Sequence, residues 1–172
     1  VDSLLHAVDG YVELDGQRAG FDGGSGYIER DWGRSFPRSW VWMECHSFAA
    51  QPGDSIMLAI AEIPFLGARF TGILCVCRVA GRQHRLATYR GVRLVEQRME
   101  PGRYRAALRQ GAYELEVEVS FNGGGALQAP VMGQMARTIT EYPGCAAHVQ
   151  LTHRGRALFD ANGDCCGFEC AR

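Results

Sequence analysis

The most restrictive feature of this sequence is a strict two-residue repeat at 113–121. Apolar residues alternate there with polar ones: Tyr113, Leu115, Val117, Val119 and Phe121 against Glu114, Glu116, Glu118 and Ser120. Because successive side chains of a β-strand point to opposite faces, the repeat predicts a strand with one packed face and one face in water. One-sided burial of this kind is typical of antiparallel sheets.

Weaker alternation of the same period recurs along most of the chain. Glycine, proline, asparagine and aspartate interrupt it, as at Pro101-Gly102 and at 122–125, where tight turns are favourable. We predict further strands at 11–14, 26–30, 40–48, 55–62, 70–79, 84–89, 103–108, 148–153, 157–160 and 167–170. Only 131–141, which two prolines bracket, could hold a short helix or an irregular crossover.

Many short antiparallel strands predict an all-β fold, an antiparallel β-barrel with at most one short helix. Closure into a barrel manages the unpaired edges of such a sheet. A β-sandwich is the alternative architecture. The 172 residues contain neither an internal repeat nor a low-complexity tract, so we predict one domain at 1–172.

The distribution of charge and hydropathy excludes some classes of protein. The formal net charge is -1, and acidic and basic residues are interleaved along the chain, which leaves no basic surface for nucleic acid. Apolar runs fall short of the ~20 residues of a membrane span, so we predict no transmembrane segment.

The cysteines bear on cellular compartment and on metal binding. Their number, seven, is odd, and the chain is too long to need a disulfide framework, which favours a reducing cytoplasm. The late group Cys165, Cys166 and Cys170 lacks the paired C-x-x-C spacing of zinc sites. We therefore predict no metal.

One segment, 23–46, departs from plain alternation and places charges among aromatic rings. Its central part reads Gly26-Tyr27-Ile28-Glu29-Arg30-Asp31-Trp32-Gly33-Arg34-Ser35-Phe36-Pro37. This resembles the signature of the tocopherol cyclase family, G-Y-I-E-K-D-W-G-x-S-F-P, with Arg30 in place of the usual lysine. Weaker similarity extends to 63–67, 127–137 and 167–169 and so covers nearly the whole chain.

The resemblance implies a lipocalin-like β fold. It also implies closure of a chromanol ring from a prenylated hydroquinol without redox change, and hence no cofactor. Family members are usually longer, and this chain is similar to their carboxy-terminal half. We accordingly expect an amino-terminal domain of the same protein as a partner, together with a hydrophobic or amphipathic small molecule.

Ring closure requires a proton for a trisubstituted alkene and a site that holds the resulting tertiary cation. A carboxylic acid kept protonated by an apolar site can donate the proton, and tryptophan faces can stabilise the cation. The candidate catalytic residues are Glu29, Asp31, Glu44 and His46. The candidate ligand-binding residues are Trp32, Phe36, Trp40, Trp42 and Phe48. On a strand at 40–48, alternation would place the members of both sets that lie there on one face, lining a cavity.

The same residues also allow purely structural interpretations. Glu29 and Asp31 could pair with neighbouring arginines and anchor the turn at 32–37. Trp40 and Trp42 could be core residues, and His46 an ordinary strand histidine. The functional alternatives are a non-catalytic lipocalin-like binder of a hydrophobic or amphipathic molecule, and a half-domain that needs its amino-terminal part to complete a cavity.

Overall fold

The computed structural model describes residues 1–171 and consists almost entirely of β-strands. The strands are β1 Ser3–Val8, β2 Tyr11–Leu14, β3 Gln17–Gly20, β4 Gly24–Ile28, β5 Trp40–Cys45, β6 Ser55–Phe65, β7 Ala68–Val79, β8 Arg82–Ala87, β9 Arg93–Glu100, β10 Arg103–Gln110, β11 Tyr113–Ser120, β12 Gly125–Val131, β13 Gln134–His153 and β14 Arg156–Ala171. One turn of 3₁₀ helix, Thr88–Arg90, lies between β8 and β9. The predicted all-β fold is confirmed, and none of the helices among residues 1–171 could span a membrane.

The segment 131–141 forms neither a helix nor a crossover. It contains the end of β12, a two-residue turn and the start of β13. The turn residues, Met132 and Gly133, both have positive φ, 52° and 85°. Such turns match the right-handed twist of a hairpin, so the chain folds back directly and β12 pairs with β13.

Ten strands form one antiparallel sheet, in the order β8-β7-β6-β5-β14-β13-β11-β10-β9, with β12 paired to β13 beside this path. The sheet rolls up so that β8 meets the strands near its other end. The Gln110 side chain accepts a hydrogen bond from the Ala87 N–H at 2.9 Å and donates one to the Arg85 carbonyl at 3.0 Å. The His84 ring also lies 5.7 Å from that of Tyr113.

The inner face of the rolled sheet holds the hydrophobic core. From β5 it receives Val41, Met43 and Cys45, which are all buried. Aromatic rings from strands that are not neighbours meet there: Tyr104 lies 5.4 Å from Phe168. The interior of the barrel beneath β5 is therefore packed with side chains.

The other residues of β5, among them Trp40, Trp42 and Glu44, point to the outer face. Two elements cover this face. The β1–β4 pair lies over part of it, with β1 against β6 and the Tyr27 ring 6.1 Å from that of Trp42. The segment 29–39, which joins β4 to β5, covers the part nearest Trp40. This arrangement puts the residues of interest between the sheet and its outer cover.

Candidate functional site

A cavity of about 450 Å³ lies on the outer face of the sheet, beneath the segment 29–39. Its floor is a row of residues that are direct cross-strand partners on five consecutive strands: Glu141, Glu169, Trp42, Ala59 and Leu74. In the next row, Ala61 is the cross-strand partner of Trp40 on one side and of Gly72 on the other. The small side chains of β6 and β7 leave open the space beside the tryptophan rings.

The segment 29–39 forms the opposite wall. The Phe36 ring stands edge-on to Trp40, with centroids 5.7 Å apart, and its N–H donates to the Pro130 carbonyl at 3.3 Å. Ser35 Oγ accepts a hydrogen bond from the Met132 N–H at 2.8 Å. The β12–β13 hairpin therefore holds the wall in place, whereas Trp32, 85% exposed, lies at the mouth.

Glu29 sits at one side of the cavity as the acceptor of two hydrogen bonds. Its Oε2 receives the indole N–H of Trp42 at 2.6 Å and the phenolic O–H of Tyr27. Burial, and then the adjacent Glu29 carboxylate, raise the pKa of Tyr27 far above its usual value, so this side chain remains a hydrogen-bond donor. The two donors fix the orientation of the Glu29 carboxyl group.

Two further carboxyl groups line the cavity and hold their protons more tightly than usual. Burial is the main cause that raises the pKa of Glu169, and the nearby Glu141 and Asp31 add to it. The indole N–H of Trp40 donates to Glu169 at 2.7 Å and partly offsets this effect. Burial and the neighbouring Glu29 also raise the pKa of Asp31. A carboxyl group in such surroundings is suited to act as a general acid.

The structure brings six of the nine sequence-predicted site residues to this cavity. They are Glu29, Asp31, Trp32, Phe36, Trp40 and Trp42. The other three lie elsewhere: Glu44 is farther along β5, and His46 and Phe48 follow the end of that strand at Cys45, where the alternation ends. Glu44 is buried and bonded to His46 beside a second cleft, and Phe48 turns into the core with its ring 4.8 Å from that of Phe159.

Sequence reasoning missed Glu169 and Glu141 as members of the site. Glu169 lies in the predicted strand 167–170, and an acidic residue in a strand that packs on both faces is a signal that could have drawn attention to it. Glu141 lies in the segment assigned to a helix or crossover. Their closeness to Trp42 depends on the register of β14 against β5 and β13, to which no local pattern points.

The turn-anchor interpretation of Asp31 can be tested by stability. Among residues 1–171 no ion pair involves Asp31, and the ion pair in this region joins Arg30 to Asp2 at 2.6 Å. Because its raised pKa makes ionisation unfavourable in the folded state, Asp31→Asn removes no stabilising charge near neutral pH. We expect its melting temperature to stay within about 2 °C of wild type.

The buried Asp54 supplies a control for that measurement. Its carboxylate accepts a hydrogen bond from the Ala80 N–H at 2.8 Å, so Asp54→Ala leaves this donor unpaired and costs about 1–3 kcal/mol. A drop of more than about 5 °C for Asp31→Asn, comparable to the drop for Asp54→Ala, would restore the anchor role.

Among residues 1–171, His, Cys, Asp and Glu side chains form no group of three that could hold a metal ion.

Comparison with known proteins relates the chain to one family by sequence. Residues 5–171 match the family model described as tocopherol cyclase-like. A probable chloroplastic tocopherol cyclase of Oryza sativa subsp. japonica and the chloroplastic tocopherol cyclase of Zea mays are each 34% identical over 58 residues, which are 34% of this chain and 12% of each relative. Among solved structures, kievitone hydratase from Nectria haematococca matches with a TM-score of 0.49 and 13% identity, over 94% of this chain and 49% of that chain.

Proposed function

Because the chain belongs to the tocopherol cyclase-like family, we propose that its outer-face cavity binds a prenylated quinol or related isoprenoid and adds a proton to one of its double bonds. Capture of the resulting cation by the phenol oxygen closes a ring without redox change. The observation that carries the proposal is that tryptophan rings and two carboxyl groups of raised pKa line the same cavity.

The cavity suits the apolar part of such a ligand. Its volume of about 450 Å³ lies in the range of small-molecule sites, ~300–1,000 Å³. The Arg137 guanidinium lies over the ring of Trp40, 4.9 Å from its centroid, and occupies that face. Trp42 is therefore the ring best placed to stabilise a substrate cation, an interaction of ~0.5–2 kcal/mol.

The carboxyl groups divide between two roles. Glu169, less exposed than Asp31, donates its proton to the alkene carbon, and a tertiary cation forms. The phenol oxygen bonds to that cation and releases its own proton, so the reaction is an isomerisation that consumes no oxidant or reductant. Glu29, held by Tyr27 and Trp42, supplies the negative charge that faces the cation. Two carboxyl groups in unlike surroundings are a common basis for such a division.

A binder without turnover is the second candidate, and the exposed mouth favours it. Trp32 is largely in solvent, and a long-lived carbocation requires that water be kept out. The enzyme proposal therefore includes a cover for the mouth, for which an amino-terminal portion, as expected from the longer relatives, is our candidate. We also propose that the protein is located in the cytoplasm.

Binding can be tested with a prenylated hydroquinol. We expect saturable quenching of tryptophan fluorescence in the wild type. By calorimetry, Trp42→Ala should weaken binding by about 1–3 kcal/mol, because it removes the largest apolar contact of the floor. Trp42→Phe keeps a ring but loses the N–H that donates to Glu29, so its affinity should lie between those of the wild type and Trp42→Ala.

Trp32→Ala is the matched control, since it removes an indole that is mostly in solvent and should weaken binding less than Trp42→Ala. If the hydroquinol shows no saturable binding, both the enzyme and the binder proposals fail. Equal affinity of Trp42→Ala and wild type would place the ligand outside this cavity.

A further inference from the structure

We propose that a second cleft on the outer face binds a phosphate group, independently of the isoprenoid cavity. The cleft has a volume of about 550 Å³ and lies at the far end of β5. Its lining includes Leu5 and His6 of β1, Ser25 of β4, and His46, Gly53 and Arg78. Three of these side chains are arginine or histidine, and this composition differs from that of the tryptophan-lined cavity.

The Arg78 side chain brings a positive charge to this cleft. It is half-buried on β7, on the same outer face as Leu74 and Val76, because side chains alternate along the strand. No carboxylate among residues 1–171 forms an ion pair with it. A half-buried guanidinium without a counter-charge is unfavourable, and phosphate is an anion that arginine binds through two parallel hydrogen bonds.

The His46 ring also lines the cleft, and it is held in one orientation. Its Nδ1 lies 2.8 Å from Oε2 of Glu44, a carboxylate that is only 8% exposed. When the ring is neutral and its Nδ1–H donates to Glu44, Nε2 is left as an acceptor; when the ring is protonated, Nε2–H is a donor instead. The site thus combines Nε2 of His46, which accepts or donates according to the protonation of the ring, with a cationic donor on Arg78.

A phosphate group matches this combination better than a carboxylate does. A phosphate monoester has a second pKa of about 6, so near neutral pH an appreciable fraction carries both P–O–H and P–O⁻. Its hydroxyl can donate to Nε2 of His46 while an anionic oxygen accepts from Arg78. A simple carboxylate is fully ionised near neutral pH and has no proton to donate.

Besides Glu44, which is bonded to His46, four carboxylates on segments that border the cleft already have donors. Asp54 accepts from the Ala80 N–H, and Asp164 accepts from the Ser47 hydroxyl at 2.5 Å. Asp9 and Asp22 accept backbone N–H groups of Gly23 and Gly10. None of these four carboxylates forms an ion pair with Arg78 in the described part of the chain, which leaves its charge available to an anion.

Titration with inorganic phosphate at constant ionic strength, near neutral pH, tests the proposal. In nuclear magnetic resonance spectra of isotope-labelled protein, we expect the imidazole signals of His6 and His46 to shift saturably with one common Kd. The signals of His148, exposed and bonded to Asp160 at 2.9 Å, should not shift. Acetate at the same concentration should bind at least tenfold more weakly.

Arg78→Gln should weaken phosphate binding about ten- to a hundredfold, the usual effect of losing a charge-assisted hydrogen bond. Arg93→Gln, which removes the same charge from an exposed site on β9, should leave the affinity within about twofold. The proposal is overturned if His46 shows no saturable shift, if both variants weaken binding equally, or if acetate binds as tightly as phosphate. Should Arg78→Gln fail to fold, the wild-type titration decides.

Discussion

Replacing Glu169 by glutamine is expected to abolish ring closure while leaving the affinity for a prenylated hydroquinol within about twofold. Glutamine keeps the shape of the side chain and its acceptor for the Trp40 N–H, but it has no acidic proton. Loss of a general acid lowers rates by about 10²–10⁴-fold. Product formation from the hydroquinol, measured beside binding by calorimetry, gives both quantities.

The same variant has a second expected effect, on stability. The pKa of Glu169 is raised in the folded state, so the folded protein holds this proton more tightly than the unfolded chain does. That contribution to stability is complete below the unfolded pKa and is lost as the pH rises through the folded pKa. Above that folded pKa the charged form of Glu169 costs stability, a cost that glutamine does not carry, so Glu169→Gln should melt at the wild-type temperature or above it.

Glu13→Gln, on the exposed strand β2, is the matched control and should change neither rate nor stability. Ring closure that survives in Glu169→Gln would move the acid role to Asp31 or another group. If the wild type binds the hydroquinol but closes no ring, the enzyme proposal fails and the binder remains. A lower melting temperature for Glu169→Gln would contradict the assignment of a raised pKa.

Phe168→Ala is expected to destabilise the protein by about 3–5 kcal/mol, which corresponds to roughly 10 °C in melting temperature. Phe168 is 1% exposed, and its ring lies 5.4 Å from that of Tyr104 and 4.8 Å from that of Phe121. It thus joins β14 to β10 and to Phe121, the residue that follows β11, across the interior. Truncation leaves a cavity that the rigid sheet cannot close. Thermal and urea unfolding measure the loss.

Phe65→Ala provides the comparison, since this ring is 61% exposed near the tip of the β6–β7 hairpin. It should change stability by no more than about 0.5 kcal/mol. If the free energies of unfolding of Phe168→Ala and Phe65→Ala differ by less than about 1 kcal/mol, the inner face of the sheet is not the packed core described above.

The sequence alone determined the local features of this protein. The repeat at 113–121 predicted β11, which runs over Tyr113–Ser120, and the antiparallel all-β fold is confirmed. Alternation placed Trp40, Trp42 and Glu44 on one face of a strand, as observed. The signature at 26–37 pointed to the family to which the chain belongs. Each of these depends on neighbours in the chain, through side-chain alternation, turn chemistry or a contiguous motif.

The tertiary structure decided which face of the sheet is inside and which residues meet there. A period of two shows that a strand has two faces. Only the rolling of the sheet decides that the side of β5 carrying Met43 belongs to the core and that the side carrying Trp42 forms the floor of a cavity. Pairing of β5 with β14 brings Glu169 beside Trp42, and the end of β5 at Cys45 sends Phe48 inward. Strand order and register arise from contacts between residues far apart in the chain, so no local pattern encodes them.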